Sequence, residues 1–188
     1  MTTTITISCN AGDCWADKFN NFDNTDTMLY VGDTVVAADR DPRAWIPFTV
    51  NLARGTVVHQ AFLKVIADAN SSPVTSNIQI SCEAADNPSA PTTGANCNGR
   101  TKSAFTNNFT LVQYTSGVEY TYQIDNPVQE TLQRSGWVSG NTLAVMIDDV
   151  DTSDKPHSIR SSRHTGGIYR AVLQIVVSSY VPRSVGML

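Results

Sequence analysis

The chain has 188 residues, of which 41% are hydrophobic and only 16% charged, with a net charge of −4. That length suffices for one all-β domain with a real core, needing neither metal nor disulfide staples. The low charge is made up by Thr, Ser and Asn, which suit strands and polar turns and argue against long solvated helices and disorder. Acidic balance without a Lys/Arg cluster is a poor match to a phosphate backbone, so nucleic acid is not an expected partner. Glu occurs only at positions 83, 119 and 130 while Asp is abundant, and Asp belongs to turns and caps where Glu belongs to helices.

Residues 2–8 alternate Thr with Ile and read as a strand. Residues 10–26 read as an Asn/Asp/Gly loop carrying Trp15, Phe19 and Phe22. Residues 28–31 and 34–38 flank a Gly-Asp turn and are expected to pair as a hairpin. Residues 43–50 form the next strand, where Pro47 points to an edge or a bulge. Residues 57–67 alternate Ala61, Leu63 and Val65 against Phe62, Lys64 and Ile66, as a central strand would. Residues 77–84 alternate cleanly. The Pro/Gly/Asn/Ser stretch 85–101 is too long for a plain connector, and Cys97 stands where such a loop would be clipped down.

Further strands are expected at 109–113 and 119–124, then one short helix with Asn126 as N-cap, Pro127 at its first helical position and Gly136 after its end. Strands at 142–147, 158–163 and 170–178 follow, with an acidic loop from Asp148 to Asp154 among them. Residues 180–188 read as an arm. The expected fold is all-β: a two-sheet antiparallel β-sandwich of the jelly-roll kind with one short helix. Residues 1–27 would be an N-terminal strand and loop extension, 28–179 the sandwich and 180–188 the arm.

Cys9, Cys14, Cys82 and Cys97 allow three pairings. Local bridges, Cys9–Cys14 and Cys82–Cys97, would close two loops; buried free thiols are the competing reading. A zinc site fits less well, because neither spacing is tight enough. Asp148, Asp149, Asp151 and Asp154 could present oxygens to Ca²⁺, although the Gly and terminal Glu of an EF-hand are missing; a solvated acidic turn, and no cofactor at all, is the simpler expectation. His59 is expected to pack within its strand, and His157 with His164 make a weak metal pair. No Gly-x-Ser-x-Gly elbow, His-Glu-x-x-His or phosphate loop is present, so no enzyme is expected. Trp15, Tyr114, Tyr120 and Tyr122 are the candidates for a binding surface, since aromatic faces stack on sugars and anchor interfaces. Trp45 and Trp137 belong more naturally to the core.

Three stretches carry a family resemblance: 44–65 with its Gly turn between two apolar strands, 78–91, and 128–147, where a helix, Gly136-Trp137, Gly140-Asn141 and an apolar strand occur in fixed order. Their order over about residues 28–178 resembles the DNRLRE-type jelly-roll domain, related to carbohydrate-binding modules. The resemblance implies a sandwich with a binding or packing surface, as in secreted polysaccharide-active proteins and bacteriophage structural proteins, and implies no reaction. The first residues lack the basic and apolar regions of a secretory signal, and no apolar run is long enough to span a membrane. The functional expectation is therefore a virion structural protein, a capsid decoration or cement subunit that contacts copies of itself and a capsid protein. The alternative is a carbohydrate-binding module, gripping polysaccharide at an extracellular or cell surface.

Overall fold

In a computed structural model, residues 2–32, 41–71, 76–150, 157–167 and 170–178 are described. Twelve strands occur among them: β1 (Thr2–Ser8), β2 (Cys14–Ala16), β3 (Phe22–Asp23), β4 (Met28–Tyr30), β5 (Arg43–Thr49), β6 (Val58–Ile66), β7 (Ser76–Cys82), β8 (Asn107–Leu111), β9 (Glu119–Gln123), β10 (Thr142–Asp149), β11 (Ser158–Arg160) and β12 (Val172–Ser178). Helix α1 spans Gly94–Asn98 and α2 spans Asp125–Gln133, with a 3₁₀ turn at His164–Gly167. The strands form an antiparallel β-sandwich: one sheet ordered β1-β12-β6-β9, the other β3-β2-β5-β10-β7-β8, and a small pair β11-β4 beside them.

Period-two alternation builds the core. In β6, Ala61, Leu63 and Val65 are buried while Phe62, Lys64 and Ile66 are half-buried on the opposite face. Ile46 and Phe48 of β5, Ile78 and Ile80 of β7, and Leu143, Val145 and Ile147 of β10 meet them from the larger sheet. Helix α2 links β9 to β10 and buries Pro127, Val128 and Leu132. It starts at Asp125, two residues before the expected first helical position, with Ile124 rather than Asn126 at the N-cap and no side-chain cap bond, while the Asp125 carboxylate accepts the Ala61 backbone N–H.

Several expectations are corrected. The expected 10–26 loop contains the hairpin β2–β3, and residues 2–23 thus contribute strands to both sheets instead of trailing as an extension. Strand β4 pairs with β11, far away in sequence, and residues 34–38 lie outside the described residues. Strand β5 is interior, between β2 and β10. Pro47 is accommodated because its backbone faces beyond the end of β2, where its carbonyl accepts the Asn10 N–H, so no ladder bond is lost. A second helix, α1, occurs within the 85–101 loop. The arm expected at 180–188 lies outside the described residues.

Candidate functional site

The outer face of the larger sheet carries a second, smaller core. Cys14 and Ala16 of β2, Trp45 of β5, and Ala144 and Met146 of β10 point away from the main core and meet Cys97 from α1. The 85–101 stretch folds over this face. Thr93 caps α1 by accepting the Asn96 N–H, and Asn98 donates to the Asp17 carbonyl. The Trp45 indole N–H donates to Glu83 Oε2 at 2.7 Å, and Arg100 pairs with Glu83 Oε1 at 2.8 Å. Arg43 pairs with Asp148 while donating to the carbonyls of Cys97 and Asn98, and Lys102 sits 3.2 Å from the other Asp148 oxygen. The half-buried Arg43 side chain therefore ties the loop to the sheet.

Beside this cover, the face opens into two adjoining clefts. One of about 380 Å³ is lined by Lys18, Asn20, Arg43, Asn98 and Lys102 together with Asp148. The other, of about 460 Å³, is lined by Asn77, Gln79, Asn108, Phe109 and Thr110. Cross-strand bonds pair these side chains: Gln79 donates to Asn108 at 3.2 Å and Thr110 to Asn77 at 2.9 Å. Amides in this number supply donors and acceptors in fixed planes, beside the half-buried ring of Phe109.

The expected aromatic surface is not there. Tyr114 and Tyr122 are buried, with their hydroxyls 2.5 Å apart. Tyr120 lies against Tyr114, its hydroxyl accepting the Thr115 N–H and donating to the Gln113 carbonyl. Tyr120 and Tyr122 share a strand face and both turn inward, which is why they fail as a platform. Trp15 is half-buried, packs on the main core and meets Tyr30 edge-on with centroids 4.9 Å apart. Burial raises the Tyr122 phenol to about 12, against a lowering bond from Tyr114, and holds Tyr114 well above its ordinary value. Trp45 and Trp137 are buried as expected, and Trp137 donates to the Leu52 carbonyl.

The acidic candidates diverge. Asp148 and Asp149 both lie in β10, where successive side chains take opposite faces, and Asp148 is already engaged by two cations. Asp151 and Asp154 lie outside the described residues. Among the described residues no group of three or more His, Cys, Asp or Glu is placed to hold a metal ion. His157 packs edge-on to Tyr114 while His164 faces Asp68, so they do not converge. His59, expected to pack, is exposed and bonds Ser178 across the strands.

No protein-family model and no curated protein matches the sequence.

The cysteines are placed as the local pairing did not foresee. All four are free and buried. Cys9 and Cys82 belong to the main core, and Cys14 and Cys97 to the outer one. Neither local bridge therefore fits this arrangement: each would have to join sulfurs held on opposite sides of the larger sheet. Burial raises both the Cys9 and Cys82 thiols to about 12.

The last feature is an edge. Strand β1 pairs on one side with β12, and among the described residues no strand pairs with its other side. The Cys9 N–H points to the Ala171 carbonyl on the β12 side, so by alternation the backbone groups of Thr4 and Thr6 point outward. The edge, Thr-Thr-Thr-Ile-Thr-Ile-Ser, has no charge, no Pro and no bulge. No helix among the described residues is long and apolar enough to cross a membrane.

Proposed function

We propose that the protein is a non-enzymatic structural subunit of a virion, a capsid decoration or cement protein built on a DNRLRE-like sandwich, which assembles with copies of itself and a capsid protein. The observation that carries this reading is the edge of β1, beside which no second strand lies among the described residues. Proteins that remain monomeric blunt such edges with charge, Pro or bulges, because exposed N–H and C=O groups invite strand addition from another chain. Here the β-branched, uncharged sequence favours strand pairing on that side. The polar clusters of the outer face are occupied by one another, as ion pairs and hydrogen bonds, which suits a scaffold more than a catalyst.

The experiment is light-scattering mass over a concentration series, with and without reductant, on the wild-type chain and on Thr4→Pro. Proline at position 4 removes an outward N–H and leaves the β12 ladder intact. The expected result is a self-associating wild type, with association weakened in the variant and circular dichroism unchanged. A wild type that stays monomeric at every concentration would overturn the self-assembly reading.

The amide-lined cleft favours a second reading, carbohydrate binding at a cell or particle surface. Asn77, Gln79 and Asn108 can exchange bonds with sugar hydroxyls. The reading ranks second because the tyrosines that would stack on a ring lie inside the protein. Loss of polysaccharide retention in Gln79→Ala with Asn108→Ala would support it.

A further inference from the structure

We propose that Cys14 and Cys97 are a redox-closing pair, able to form a disulfide that clasps the 85–101 loop onto β2. The two residues are 83 positions apart, yet both are fully buried in the same outer cluster, where the loop's helix sits against β2. The Cys14 and Cys97 side chains lie within hydrogen-bonding reach of each other in that cluster. That contact lowers the Cys97 thiol below its ordinary value despite burial, with Arg43 and Arg100 adding to the effect, and raises Cys14. Arg43 also holds the Cys97 and Asn98 carbonyls, so Cys97 is fixed from its backbone as well as its sulfur. Cys9 and Cys82 have no such arrangement; each is a core thiol with its ionisation suppressed by burial.

The chemistry follows from thiolate reactivity. With a low-molecular-weight disulfide such as oxidised glutathione as oxidant, the Cys97 thiolate attacks one sulfur, forming a mixed disulfide and expelling one glutathione thiolate, which takes up the proton lost by Cys97. The Cys14 sulfur then attacks Cys97 Sγ, the mixed disulfide breaks, and the second glutathione leaves with the Cys14 proton. In sum, two protein thiols are oxidised to one disulfide and one glutathione disulfide is reduced to two thiols. Because both sulfurs lie beneath the loop, the reagent enters when the loop opens locally, and closure removes that opening.

The test uses the native full-length chain, incubated with oxidised glutathione, then denatured, alkylated and mapped by peptide mass. The expected product is a single linked peptide pair containing Cys14 and Cys97, with Cys9 and Cys82 alkylated, and a Tm roughly 5–15 °C above that of the reduced chain. Cys97→Ser should give no internal cross-link and no oxidation-dependent rise in Tm. Should that variant fail to fold, the wild-type map still decides. Four alkylated thiols after prolonged oxidation, a persistent glutathione adduct, or a bridge between any other pair would overturn the proposal.

Discussion

Phe48 and Trp45 stand three residues apart on one strand and belong to two different interiors. Phe48 faces the space between the sheets, where aliphatic side chains from β6, β7 and β10 close around it. Trp45 faces outward and is buried by a loop that is itself held with ion pairs, a Trp–Glu hydrogen bond and a pair of thiols. The first interior is made by sheets covering one another, and the second by a polar-fastened cover laid on a sheet. Largely aliphatic packing between whole sheets gives nothing small to release, whereas a cover held by a few directional contacts can lift while the sheets stay formed. The contrast locates adaptable chemistry on the outer face.

The largest expected effect tests whether these are two units. Phe48→Ala should cost about 3–5 kcal/mol and lower the single cooperative transition of the whole sandwich. Trp45→Ala removes a side chain of similar burial and leaves Glu83 without its indole donor, yet its loss should be felt first as local opening. The expected signature is proteolysis within 85–101 at denaturant concentrations where the sheets still resist. If both variants simply shift one transition with no early cleavage, the two interiors form one cooperative unit and the contrast fails.

Much of this division was legible in sequence, for physical reasons specific to each element. Residues 2–8, 57–67 and 142–147 alternate or run apolar long enough to declare a strand and its inward face, although β10 runs on through Asp148 and Asp149, which read as loop, and Pro127 falls within the first turn of α2. The length of 85–101 and the position of Cys97 pointed to a clipped loop. The partner of that clip was not legible: Cys14 reaches Cys97 only because β2, three residues long, hydrogen-bonds beside Trp45. Such a strand has no periodicity of its own and exists through its neighbours. The tyrosines misled for a related reason. Aromatic side chains at alternate positions of an edge strand are equally consistent with a platform and with a core wall. Only the placement of Tyr114, arriving from a separate loop, turns Tyr120 and Tyr122 into the latter.

Alkaline titration should separate the interiors next. Tyr122 in the folded protein is displaced upward to about 12 and Tyr114 shifts the same way, because burial opposes the phenolate. In the unfolded chain these phenols ionise near 10. A raised folded value means their contribution is complete below about pH 10 and is lost as pH rises towards 12. For a group displaced by about two units the loss reaches about 2–3 kcal/mol. Urea midpoints should therefore fall steadily from pH 10 upward, with Cys9 and Cys82 of the same interior contributing from about pH 9. Tyr122→Phe should flatten part of the slope. A midpoint constant to pH 11.5 would mean that water already reaches the cluster and that the main interior is less dry than its packing implies.

The smallest expected effect bears directly on the cover. Gly94 opens α1 where the helix lies on the β2–β3 loop, and a Cβ there would overlap the backbone carbonyl of Asn20. The obstacle is main chain, which cannot rotate aside as a long side chain would. Gly94→Ala should therefore displace α1 at a cost of about 1–3 kcal/mol, in the range of other overpacked sites. The sheets beneath should keep their amide-exchange protection while the amides of 94–100 lose theirs. Displacing α1 also carries Cys97 away from Cys14, so the yield of their cross-link under oxidised glutathione should fall in the same variant. Loss of protection with an unchanged cross-link yield would show that the thiols are held by β2 and Arg43 independently of the helix. Retention of both would place the adjustment in the Asn20 loop, and the cover would then be more yielding at its rim than at its sulfur contact.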